Sequence, residues 1–262
     1  VERADPLAFG VHRPRRQEGR PFLHPYVTRD VDVRLRPLIT RLRRTGGFLV
    51  LTGDSTAGKT RCAFEAMRAE LTGCRVWAPP RTADLRPLTD LDLPSAEGWV
   101  LWLDDVEDYV RDDGLEPTLL SSLVHRGVVV LATLRDEQVD RFQRRSSSRA
   151  TLEAPYAFLA NLGARVLNMA EQIRLDRMWS RAELGRAEEV DDPGLEEALR
   201  HRGDYGIAEY LGAGPALLDE MNRACRAGGS PRGYAYVRAA VDLHRAGLME
   251  IPFAAIEELH LT

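Results

Sequence analysis

Lysine is almost absent from this sequence. Of 36 lysine and arginine residues in 262, only Lys59 is lysine. A GC-rich coding background accounts for the scarcity but not for the place of the survivor. Cysteine is also sparse. Cys62, Cys74 and Cys225 are an odd count with no metal or disulfide spacing. That pattern favours a reducing compartment with three incidental thiols, and a cytoplasmic location is expected. No apolar run approaches the roughly 20 residues that span a bilayer, so no membrane segment is expected. No charged-then-apolar leader opens the chain. Its first residue is Val rather than Met, which raises the expectation of a piece cut from something longer. There are no internal repeats. A net charge of −4 makes a poor general binder of polyanions, so nucleic acid is not an expected partner. Apolar residues at 44% and charged residues at 29% exclude global disorder. They fit one large domain or two modest ones.

The lone lysine lies in Gly53–Thr60, G-D-S-T-A-G-K-T, which fits G-x-x-x-x-G-K-[ST]. In such a loop the N–H groups of Gly53, Asp54, Ser55, Thr56, Ala57, Gly58, Lys59 and Thr60 can curl around phosphate at a helix N-terminus, with Arg61 following. The lysine reaches the β- and γ-phosphates as a point charge, which a planar arginine fork does not replace. The Thr60 hydroxyl would ligate Mg²⁺. Context agrees: Gly47–Leu51 reads as a buried strand, and Arg61–Leu71 has apolar residues at helical spacing before Gly73.

Cys74–Ala78 is the next strand candidate, ended by Pro79 and Pro80. Trp99–Asp105 (W-V-L-W-L-D-D) reads as a central parallel strand closed by two carboxylates. Asp104 would hold Mg²⁺, and Asp105 would orient or deprotonate an attacking water; a solvated D-D pair is the alternative. Gly127–Arg135 is another continuous apolar strand. Arg135 would touch a γ-phosphate, or else pair with Asp136 or be solvated. Arg141–Arg149 reads as an Arg/Ser loop, either solvated or reaching a neighbour's nucleotide. Ala164–Ala170 is the expected fifth strand. Beyond about residue 171, Ile173, Leu175, Met178 and Trp179 begin a helical pattern, and Pro193–His201 and Ala216–Arg226 read as amphipathic helices. Pro215 can open a helix. The expected fold is α/β: a P-loop NTPase with a parallel five-stranded sheet flanked by helices, followed by a small all-helical domain. The expected divisions are a linker at 1–25, a nucleotide-binding domain at 26–171 and a helical domain at 172–262.

Four of these features together resemble the STAND class of P-loop NTPases, which includes the NB-ARC and NACHT regulators. They are the phosphate loop, L-D-D-V at Leu103–Val106, T-L-R-D at Thr133–Asp136, and V-T-R-D at Val27–Asp30. The span from about Tyr26 to Gly228 also resembles an uncharacterised actinobacterial group of that class. The resemblance implies that Val27 and Arg29 contact adenine and that Lys59 and Thr60 hold phosphates and Mg²⁺. It further implies Asp104 at the metal, Asp105 as base, Arg135 sensing the γ-phosphate and Pro215 covering the base or sugar. The family's G-x-P element is here A-G-P, at Ala213–Pro215. Its winged-helix region could begin only near residue 231, where His244 is either a phosphate contact or a plain surface histidine.

The implied function is an ATP/ADP switch with slow Mg²⁺-dependent hydrolysis, controlling self-association or further domains of a larger protein. No N-K-x-D guanine motif is present, which leans the reading to adenine. The rivals are an AAA+ remodelling ATPase, which usually has D-E and a sensor arginine in its helical domain, a small-molecule phosphotransferase, and a scaffold that binds nucleotide without hydrolysis.

Overall fold

The apolar runs become strands. The computed structural model describes residues 1–11, 23–81, 83–91, 93, 98–111, 114–147, 154–203, 205–212, 220–226, 228–246, 248 and 251–259. Strands β1 (Gly47–Gly53), β2 (Arg75–Trp77), β3 (Trp99–Leu103), β4 (Val129–Arg135) and β5 (Glu171–Arg174) form one sheet in the order β2-β3-β4-β1-β5. Every pairing is parallel.

Side chains of a strand alternate between faces, and the core divides accordingly. On one face Leu49, Leu51, Val100, Trp102, Val129 and Leu131 pack with Phe64 and Met67 of α2 (Lys59–Glu70) and Leu35, Ile39 and Leu42 of α1 (Asp32–Thr45). On the other, Phe48, Val50, Leu101, Leu103, Val130 and Ala132 pack with Leu119, Leu120 and Leu123 of α3 (Pro117–His125). Both faces are covered, which is why the central strands read as unbroken apolar runs. Each fully buried large side chain contributes roughly 1.5–3 kcal/mol.

The chain divides into two compact units, Val1–Gly212 and Ala213–Thr262. The first also holds α6 (Arg181–Glu188), α7 (Pro193–Arg200) and α8 (Ile207–Gly212), joined by a cluster of Val27, Ala187, Leu195, Ala198 and Ile207. The second contains helices Pro231–Arg245 and Phe253–Leu259, with Tyr236 stacked on Phe253.

Several expectations are corrected. Ala164–Ala170 is not a strand: α5 (Ala154–Leu167) runs into it, and the fifth strand is Glu171–Arg174. That strand pairs with β1 alone and buries only Ile173, so it carries no apolar run. Ile173 therefore belongs to the sheet rather than to a helical stripe. Arg141–Arg149 is not a loop through Ser147, because α4 spans Asp136–Ser147; arginine and glutamine are good helix formers. Residues 148 and 149 lie outside the described residues. The expected linker at 1–25 begins with a 3₁₀ turn, Pro6–Phe9, whose Phe9 ring packs against Phe64 and Trp102. The helix start at Pro193 is observed, with Asp192 accepting from the Leu195 N–H. Of Ala216–Arg226, residues 220–224 are helical and 216–219 lie outside the described residues.

Candidate nucleotide site

Parallel pairing brings the C-terminal ends of β1, β3 and β4 to one edge of the sheet. Crossovers leave loops there, and such edges collect ligand-binding groups. The loop after β1 turns at Gly58, where φ is +91°, a left-handed conformation that favours glycine. Lys59 then opens α2. Of the loop's N–H groups, Ala57 donates to the Asp54 carbonyl. The N–H groups of Ser55, Thr56, Gly58, Lys59 and Thr60 have no acceptor among the described residues. Converging donors at a helix N-terminus form an anion cradle. Lys59 Nζ donates to the carbonyls of Gly53 (3.0 Å) and Asp54 (2.8 Å). Burial pushes its ammonium below the usual lysine range, while Asp105, Asp136 and Glu107 pull it back.

The carboxylates of β3 meet this loop through β4. Thr60 Oγ1 and Thr133 Oγ1 both donate to Asp104 Oδ1 at 2.8 Å. Burial raises the Asp104 carboxyl above its ordinary range against those two donors. The Asp105 N–H donates to Thr133 Oγ1 at 2.9 Å, and Asp105 itself has φ +55°. A non-glycine residue in that region is strained and held by its surroundings. Gly10 backs the site: a Cβ there would lie 2.3 Å from Asp104 Oδ2.

Two arginines face the carboxylates. Arg135 does not pair with Asp136; its Nη2 lies 3.0 Å from Glu107 Oε1, and Asp136 pairs with Arg174. Glu107 is raised by burial, and its Oε2 has no partner among the described residues. Arg81 was missed from sequence. Its Nη2 lies 2.8 Å from Asp105 Oδ2 and 3.8 Å from Asp104 Oδ2, and its Nη1 contacts Asp108. The available signal was position: an arginine four residues past β2, on the same sheet edge.

The residues expected at adenine sit differently. Val27 is buried among α6–α8 residues. Arg29 is 3% exposed, and its Nε donates to Glu183 Oε1, with Nη1 on the Ala57 carbonyl and Nη2 on the Asp176 carbonyl. Arg61 pairs with Glu65 and donates to the His24 carbonyl. Pro215 and the A-G-P element lie outside the described residues. His244 is exposed in the last turn of Pro231–Arg245.

Among the described residues no three His, Cys, Asp or Glu side chains group as metal ligands. The Thr60–Asp104 pair still fits Mg²⁺, a cation that uses one or two protein oxygens and completes its shell with phosphate and water. A cavity of about 230 Å³ lined by Arg41, Gly47, Leu120 and Met169 lies at the opposite end of β1 and shares none of these groups.

No protein-family model matches the chain, and no curated protein does. Among solved structures, AMPPCP-bound DnaA from Aquifex aeolicus is similar at 14% identity, with a TM-score of 0.40, over 78% of this chain and 74% of that one. At that distance the likeness speaks to neither ligand nor partner.

Proposed function

We propose that the chain is an ATP-binding P-loop module of the STAND type, with slow Mg²⁺-dependent hydrolysis that sets self-association or domain packing in a larger protein. The observation that carries this reading is that the N–H groups of Ser55, Thr56, Gly58, Lys59 and Thr60 have no acceptor among the described residues, next to the only lysine in the sequence. A triphosphate satisfies them all at once, and a neutral ligand does not. Lys59 would leave the Gly53 and Asp54 carbonyls for phosphate oxygen. Thr60 and Asp104 would hold Mg²⁺, which neutralises phosphate charge when bound.

Asp105 would orient the attacking water, its backbone fixed by Thr133. Arg135 would sense the γ-phosphate by exchanging Glu107 for it. The module would comprise a nucleotide-binding domain over 26–171 and a helical domain over 172–262, with Val27 beside the base and a cytoplasmic location. The adenine preference rests on the missing guanine motif.

Titration of ATP·Mg²⁺ into the full chain and into Lys59→Ala tests the site. The parent binds and releases phosphate over hours, and the variant loses binding by more than about 100-fold, a loss of some 2.7 kcal/mol. Equal affinity in the two proteins refutes the site, as does a parent that binds no nucleotide.

A further inference from the structure

We infer that Arg29 is a positioning residue for the phosphate loop and not a reader of the base, and that through Glu183 it joins the loop to α6. This deepens the nucleotide reading above and rests on it. Three acceptors on three segments take the guanidinium: Glu183 Oε1 at 2.8 Å, the Ala57 carbonyl at 3.2 Å and the Asp176 carbonyl at 2.7 Å. The Trp179 ring lies 4.9 Å from its carbon. At 3% exposure the group is held from all sides.

The bond to Ala57 sets the loop's direction. The peptide between Ala57 and Gly58 is planar and trans, so its C=O and N–H point opposite ways. With the carbonyl drawn to Arg29, the Gly58 N–H faces away from it, one of the N–H groups with no acceptor among the described residues. Only a planar fork with five donors reaches all three acceptors; an ammonium does not.

The other end of the link is equally fixed. Glu183 is 4% exposed. Its carboxylate also accepts from the N–H groups of Asp30 (2.8 Å) and Ser180 (2.7 Å), the latter closing the capping box of α6. A second contact runs in parallel, since a Cβ on Gly58 would lie 3.1 Å from Ala208 Cβ in α8. A shift of the loop on binding anions therefore reaches the N-terminus of α6 and the start of α8 directly.

The test compares ATP, GTP and inorganic triphosphate on the full chain and on Arg29→Lys, each with Mg²⁺. A positioning role predicts that the variant weakens all three by one common factor, roughly tenfold, within the span of linked-site couplings. Hydrogen exchange supplies the second readout: triphosphate protects residues 180–208 in the parent and not in the variant. Loss confined to ATP, with inorganic triphosphate unchanged, overturns the inference in favour of base contact. So do variant affinities equal to the parent's. A parent that binds none of the three probes overturns the nucleotide reading itself, which separates the two failures. If Arg29→Lys melts early, Arg29→Met with Glu183→Gln removes both buried charges together and is held to the same common-factor criterion.

Discussion

Arg29 and Arg81 flank one phosphate loop and are opposites. Arg29 is buried and meets one carboxylate and two backbone carbonyls drawn from three segments. Arg81 is 52% exposed at its side chain and, among the described residues, pairs with the carboxylates of Asp104, Asp105 and Asp108. Carbonyls are neutral and fixed, so Arg29 belongs to the architecture of the loop. Carboxylates at a sheet edge are also what a divalent cation seeks, so on the proposed reading Arg81 would be a counter-ion that Mg²⁺ displaces. One side of the loop is built to hold still and the other to exchange charge.

The widest separation is expected in stability. Arg29→Ala leaves Glu183 buried without its cation, at a cost of about 3–5 kcal/mol. Denaturant unfolding reads this, and a midpoint equal to the parent's would erase the contrast. Arg81→Ala loses about 1 kcal/mol or less, because its ion pairs are half in water. Its larger effect falls on metal: with the guanidinium gone, Mg²⁺ saturates at lower concentration in nucleotide-binding titrations. A rise in the Mg²⁺ requirement would instead make Arg81 a phosphate contact.

The smallest effect concerns thiols. Burial pushes Cys62 up to about 12, and the Tyr26 hydroxyl lies 3.3 Å from its sulfur. Thiolate is the reactive form, so at pH 8 a thiol reagent labels exposed Cys225 and spares Cys62. Arg29→Ala is expected to speed Cys62 labelling by loosening that side, and Arg81→Ala to leave it unchanged. Equal rates in the two variants would blur the distinction between the sides.

What was legible along the chain follows from how each element is stabilised. β1, β3 and β4 are buried on both faces, and each announced itself as an apolar run. β5 is an edge strand with Ile173 its only buried residue, so the apolar stretch before it took its place in the reading. The Arg/Ser-rich segment after Asp140 looked like loop because its charge concealed α4. Asp104, Thr60 and Lys59 could be picked out because their motifs are local. Arg81 could not, since its partners come from a different strand and reveal themselves only in space. Arg29 was noticed, but Glu183 lies 154 residues away, and nothing near either residue points to the other.

From sequence alone came the strand, loop and helix over Gly47–Glu70, because a row of backbone N–H groups is made by dihedral angles that neighbouring residues dictate. The tertiary structure decided the rest: β4 lies between β1 and β3, so Thr133 meets Asp104, and the Val27–Asp30 turn is clasped by α6. Such pairings depend on which distant segments are packed together, and burial of a charge is settled only when both partners have left water.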